Sequence, residues 1–165
     1  MTPKEKDSII QVNNFINGAF VAPSTDQYMD VQNPADGSTI AHVALSHEKD
    51  VQTALDAATA AFPQWRDRTI KARAAMMLKF HALVQQHADR LAELITLENG
   101  KNSTEAMAEV AKGNETVEYA CSLPQLAQGS MLQVSSGSVY CRDLRQPLGV
   151  VTSIVPFNFP FMVSQ

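Results

Sequence analysis

The chain has 165 residues, 45% hydrophobic and 18% charged, which suits one soluble globular domain and gives no support for disorder. Seven glycines and eight prolines exclude collagen-like and Pro/Gly-rich low-complexity architectures. Thirteen basic residues against 17 acidic ones leave a net charge of -4, without the basic excess that general nucleic-acid binding needs.

Residues 1–12 read as a polar leader that runs into no apolar signal core. Asn14 to Val21 reads as a hairpin, because Asn17-Gly18 between apolar pairs tolerates the positive φ of a type I′ turn. Tyr28–Gln32 and Ser38–Val43 then flank the turn Asn33-Pro34-Ala35-Asp36-Gly37. Helices follow. Ser46 is expected to cap the first, Val51, Leu55, Ala58 and Phe62 to form its face, and Pro63 to end it. Thr69 is expected to cap the second, with Met76, Phe80, Leu83 and Val84 inward. A third run holds Leu91, Leu94 and Ile95 and stops at Asn99-Gly100, glycine supplying the left-handed residue. Ser103 is the expected cap of the last long helix, with Met107, Val110, Val117 and Cys121 inward and Pro124 interfering beyond. After Gly129 the pattern turns to strands: Ser138–Arg145 alternates loosely, and Leu148–Val155 suits a strand covered on both faces of a parallel sheet. The apolar end, Leu148 to Gln165, suggests a fold cut short.

Phosphate-binding glycine motifs and zinc spacings do not occur. His42, His47, His81 and His87 are scattered and read as surface or structural residues. Cys121 reads as a small core hydrophobe and Cys141 as a structural strand residue. The two make no disulfide framework, and a reducing cytoplasm is the expected location. The charge-free stretch Gln146–Gln165 is broken by Pro156, Asn158 and Pro160, which argues against a transmembrane helix. Glu105, Glu109, Glu115 and Glu118 are expected on a solvated helix face. Lys101 is expected to be an ordinary basic residue at a negative helix end. Asn158 is the most informative residue, since Pro156 and Pro160 stiffen the loop around it. Two roles stay open for it: an amide aimed at a developing oxyanion, or a turn Asn bonding its own backbone.

Several segments, in order, resemble the NAD(P)-dependent aldehyde dehydrogenases. They are Phe15-Ile16-Asn17-Gly18, Asn33-Pro34-Ala35-Asp36-Gly37, Ala61-Phe62-Pro63-Gln64-Trp65, Leu97-Glu98-Asn99-Gly100-Lys101, and Pro147 through Pro160. Glu109-Val110 with Gly113, Glu115, Val117-Glu118 and Ala120, and Phe157 where most of the family carries Trp, are similar to its methylmalonate-semialdehyde (malonate-semialdehyde) subgroup.

The resemblance implies an α/β fold, present as its N-terminal part. The implied parts are a leader at 1–12, hairpins and helices at 13–137, an oligomerisation strand at 138–146, and at 147–165 a truncated first cofactor-domain strand with its loop. It implies an NAD- and coenzyme A-dependent enzyme for a small aldehyde, without nucleic-acid or membrane partners. Homo-oligomers would form through Val139 to Arg145. Asn158 would be the oxyanion-stabilising residue, and Val155, Pro156 and Phe157 would line the cofactor cleft. Neither cysteine matches the family's nucleophile, so the chain alone is expected to be inactive. A non-catalytic product that associates with full-length subunits is the alternative.

Overall fold

The computed structural model describes residues 9–165. The expected leader therefore lies mostly outside the described residues, but its end is structured. β1 (Ile10–Val12) pairs in parallel with β5 (Thr39–Ala44), matching Gln11 with His42. β4 (Tyr28–Gln32) lies antiparallel on the other edge of β5, giving the order β1-β5-β4. Asn33 closes the intervening turn, its Oδ1 accepting from the Ala35 N–H at 3.0 Å. β2 (Asn14–Ile16) and β3 (Ala19–Val21) form the expected hairpin, with Asn17 at φ 52° and Gly18 at φ 79°.

α1 (Glu48–Arg66) starts one residue later than expected. Its N-cap is His47, whose N–H donates to Asp50 Oδ2 at 2.8 Å, while Ser46 turns away to donate to Asn14 Oδ1 at 2.7 Å. Pro63 does not end it. The carbonyl that loses its helical donor belongs to Thr59, which is exposed and so open to solvent, and the Pro63 carbonyl still accepts from the Asp67 N–H. The expected apolar face of α1 is not covered, and Val51 and Leu55 remain exposed.

α2 (Ile70–Gln86) is capped by Thr69, whose hydroxyl accepts from the Ala72 N–H at 3.2 Å. Its inward stripe is Ala74, Met77, His81 and Val84, not the expected Met76, Phe80 and Leu83, which are exposed. Both stripes obey the helical period, but only the small Ala74 side lets α2 approach its neighbour. α3 (Ala88–Asn99) ends as expected at Gly100, φ 81°. α4 (Ser103–Cys121) is capped by Asn102 instead of Ser103, its Oδ1 accepting from the Glu105 N–H at 2.9 Å. α5 (Leu123–Leu126) takes Pro124 into its first turn.

The core is the seam of α2, α3 and α4. Val84, Ala92, Ile95, Ala106 and Val110 are buried together, with Leu91, Met107 and Phe161 packed on them. Phe161 carries the end of the chain back onto α4, followed by a 3-10 turn at Met162–Ser164. The expected strand at 138–146 shrinks to β7 (Tyr140–Arg142), antiparallel to β6 (Met131–Gln133). The expected strand Leu148–Val155 does not form. Leu148 is 97% and Ile154 93% exposed, because a β-rich segment has no strand conformation to hold without a hydrogen-bonded neighbour. Among the described residues, no helix is long and apolar enough to cross a membrane.

Candidate functional site

The turn between α3 and α4 organises the site. Gly100 reverses the chain in the left-handed conformation, which leaves Asn99 as the last residue of α3 and Lys101 just before the cap of α4. Both side chains reach the loop around Asn158. Asn99 Nδ2 donates to the Phe157 carbonyl at 2.7 Å. Lys101 Nζ donates to the Asn158 carbonyl and sits 4.2 Å from the centroid of the Phe159 ring, a cation–π contact.

Glu109 holds the other side of the same loop. It was expected on a solvated face, yet it lies on the stripe Ala106–Val110–Gly113 and is only 4% exposed. Its Oε2 accepts from Lys101 Nζ at 2.5 Å. Its Oε1 accepts from the Phe161 N–H at 2.8 Å and from the Met162 N–H at 3.3 Å. Burial pushes the Glu109 carboxyl up. The hydrogen bonds from Lys101, Phe161 and Met162, with the charge of Lys101, outweigh that and hold it below the usual carboxylate range. Lys101 is correspondingly no free surface cation: its side chain is largely buried and its charge is spent on Glu109. Gly113 completes the seat. A Cβ there would stand 2.8 Å from the Phe161 ring and 3.2 Å from Met162 Cα.

The loop is thus held by its backbone, and its side chains remain available. The Asn158 amide makes no hydrogen bond among the described residues, to its own turn or elsewhere. Phe157 is 86% exposed, and Val155 and Pro156 are exposed on the strand side of Asn158. The structure brings Asn158 together with Lys101, Glu109 and Asn99, none of which was singled out for this site. The cysteines lie elsewhere. Cys121 Sγ donates to the Val117 carbonyl at 3.2 Å, and Cys141 is a strand residue of β7, paired with Leu132 and exposed.

The sequence over residues 20–165 matches the model of the aldehyde dehydrogenase family. The malonate-semialdehyde dehydrogenase of Bacillus velezensis is 44% identical over 155 residues, covering 94% of this chain and 32% of that protein. The crystal structure of methylmalonate-semialdehyde dehydrogenase from Oceanimonas doudoroffii superposes with a TM-score of 0.89 at 38% identity, over 94% of this chain and 32% of its own. That of P. syringae indole-3-acetaldehyde dehydrogenase, in complex with NAD+ and IAA, gives a TM-score of 0.88 at 28% identity, over 98% and 33% of the two chains. The chain therefore spans about a third of the length of these relatives.

Proposed function

The chain belongs to the aldehyde dehydrogenase family, and from that premise we propose that it forms the N-terminal third of an NAD-dependent, CoA-acylating semialdehyde dehydrogenase. The substrate would be methylmalonate or malonate semialdehyde, and the product propionyl-CoA or acetyl-CoA with loss of carbon dioxide. The names of its relatives support that substrate class. The single observation that carries the catalytic part is the unspent amide of Asn158 on a loop held by its backbone. During attack on an aldehyde, negative charge builds on the carbonyl oxygen. A fixed N–H donor aimed at that oxygen lowers the barrier because it need not reorganise as the charge appears. Asn158 supplies that donor.

Val155, Pro156 and Phe157 are the candidates for holding NAD. Their exposed apolar surfaces beside one free polar group fit the mostly apolar lining of a cofactor site. NAD, when bound, supplies the hydride acceptor. The attacking thiol would come from outside these 165 residues, since neither Cys121 on α4 nor Cys141 on β7 matches the position of the family's nucleophile. The chain alone is therefore inactive.

The test compares the 165-residue chain with the complete product of its gene, each given malonate semialdehyde, NAD and CoA. The complete product should form NADH and acetyl-CoA together, and the 165 residues neither. NADH production by the 165 residues alone overturns the claim of inactivity. A complete product that makes no acyl-CoA overturns the substrate assignment. A second reading, a non-catalytic chain that associates with full-length subunits, draws on the exposed segment from Val139 to Arg145 around β7. Light scattering that finds only a monomer, with and without such subunits, sinks it.

A further inference from the structure

We propose that Lys101, Glu109 and Asn99 are positioning residues that aim the Asn158 amide by gripping the backbone on both sides of it. This rests on reading Asn158 as the oxyanion donor. Pro156 and Pro160 carry no N–H and have fixed φ. Between and just beyond them, the Phe157 carbonyl is taken by Asn99 and the Asn158 carbonyl by Lys101, while the Phe161 and Met162 N–H groups go to Glu109. All three gripping side chains come from the α3–α4 turn and the first half of α4. Lys101 is the bridge: one ammonium joins the buried carboxylate to the carbonyl of the residue whose amide is left free. A grip on the Asn158 carbonyl fixes its Cα and the origin of its side chain without using the amide. The pairing also keeps Lys101 from acting as a free cation, so its contribution to the reaction is direction.

Such a role differs from plain structural support in one measurable way. A residue that acts only through Asn158 has nothing left to do once Asn158 is gone. In the complete gene product, Asn158→Ala should lower kcat about 100-fold or more, in line with the loss of one oxyanion donor. Lys101→Met should lower kcat about 10-fold with the aldehyde KM within about twofold, because the direction of the amide matters most in the transition state. The double variant should be no slower than Asn158→Ala alone. Asn99→Ala, which removes a grip without touching the ion pair, should show the same pattern at smaller amplitude and covers the case in which Lys101→Met fails to fold.

In the 165-residue chain, NMR gives a readout independent of turnover. The backbone 15N shifts of Asn158 and Phe159, whose peptide carbonyls Asn99 and Lys101 hold, should move toward random-coil values in Asn99→Ala and Lys101→Met respectively, while the amides of α2 and α3 hold theirs. Full activity in Asn158→Ala would overturn the oxyanion reading alone. Losses that multiply in the double variant, or backbone 15N shifts of Asn158 and Phe159 that do not move in either single variant, overturn the positioning role.

Discussion

Replacing Glu109 by Gln isolates the charge at the centre of the site. The amide keeps the shape and keeps an oxygen for the Phe161 and Met162 N–H groups, but it turns an NH2 toward the Lys101 ammonium, donor against donor. Removing one partner of a fully buried ion pair costs about 3–5 kcal/mol. Here the Glu109 side chain is 1% exposed but that of Lys101 is 17%, so the orphaned cation keeps contact with water and with the Asn158 carbonyl. We expect a loss of about 2 kcal/mol at pH 7, read as a shift in the urea midpoint of the far-UV helical signal without a change in slope. The pH dependence follows from the depressed carboxyl of Glu109. A group whose folded pKa lies below its unfolded value stabilises fully above the unfolded value, about 4.3, and loses that contribution as pH falls through the folded one. The difference between wild type and Glu109→Gln should therefore be flat from about pH 6 to 8 and shrink below about pH 4. Asp36, Asp50, Asp67 and Asp143 are also held below their usual range, each on the surface, so acid weakens both proteins, and only the difference reports Glu109. Equal midpoints at pH 7, or a wild-type advantage that grows in acid, would refute the buried pair as a stabilising clamp.

Gly113→Ala places a methyl against the Phe161 ring and Met162 Cα. The gain in helix propensity of about 1 kcal/mol is outweighed by overpacking of about 1–3 kcal/mol, so calorimetry should show a lower Tm and NMR a displaced Phe161 ring. Gly100→Ala combines an L-residue at φ 81° with a Cβ 2.9 Å from Pro34 Cγ. A loss of about 1–2 kcal/mol in chemical denaturation is expected, with faster hydrogen exchange at the end of α3. Asn102→Ala removes the cap of α4 and should cost about 1 kcal/mol by the same assay, whereas Ser103→Ala should cost little.

Features decided within a few residues were legible in the sequence. The Asn17-Gly18 turn, the Thr69 cap and the Gly100 stop each need only their own backbone and nearest neighbours. Helix starts were missed by one residue at His47 and Asn102, and Pro63 did not end α1; the larger errors arose where a distant partner decides. α2 carries two stripes, each stepping by three or four residues and offset from the other by one or two, and the period cannot say which one meets α4; small Ala74 with Val84 won over bulky Met76 and Phe80. The run Leu148–Val155 has the composition of a buried strand, but pairing requires another strand, and composition does not supply one. Glu109 did leave a sequence signal. It stands three residues after Ala106 and four before Gly113, an acid on the packing stripe, and such a position calls for a cation and donors nearby. Lys101 is only eight residues away, yet its role depends on a loop more than fifty residues downstream, which no local pattern reveals.

The distribution of contacts along residues 148–162 explains how a loop can be set while the segment before it is open. Leu148, Val151 and Ile154 are apolar and exposed, and hold no strand. From Phe157 onward every grip comes from the helical layer: Asn99, Lys101, Glu109 and the seat at Gly113. A direction for Asn158 that depended on the sheet would be lost with the strand. Held from the α3–α4 turn, it survives, since the grips close short paths through a packed core in which Ala106 and Val110 are fully buried. The helical layer thus sets where the amide of Asn158 begins, and the apolar run Leu148–Val155 is free to follow whatever neighbour it pairs with. That division also predicts the order of failure on heating: the exposed run loosens first, and the loop from Phe157 to Met162 is lost only with α4 itself.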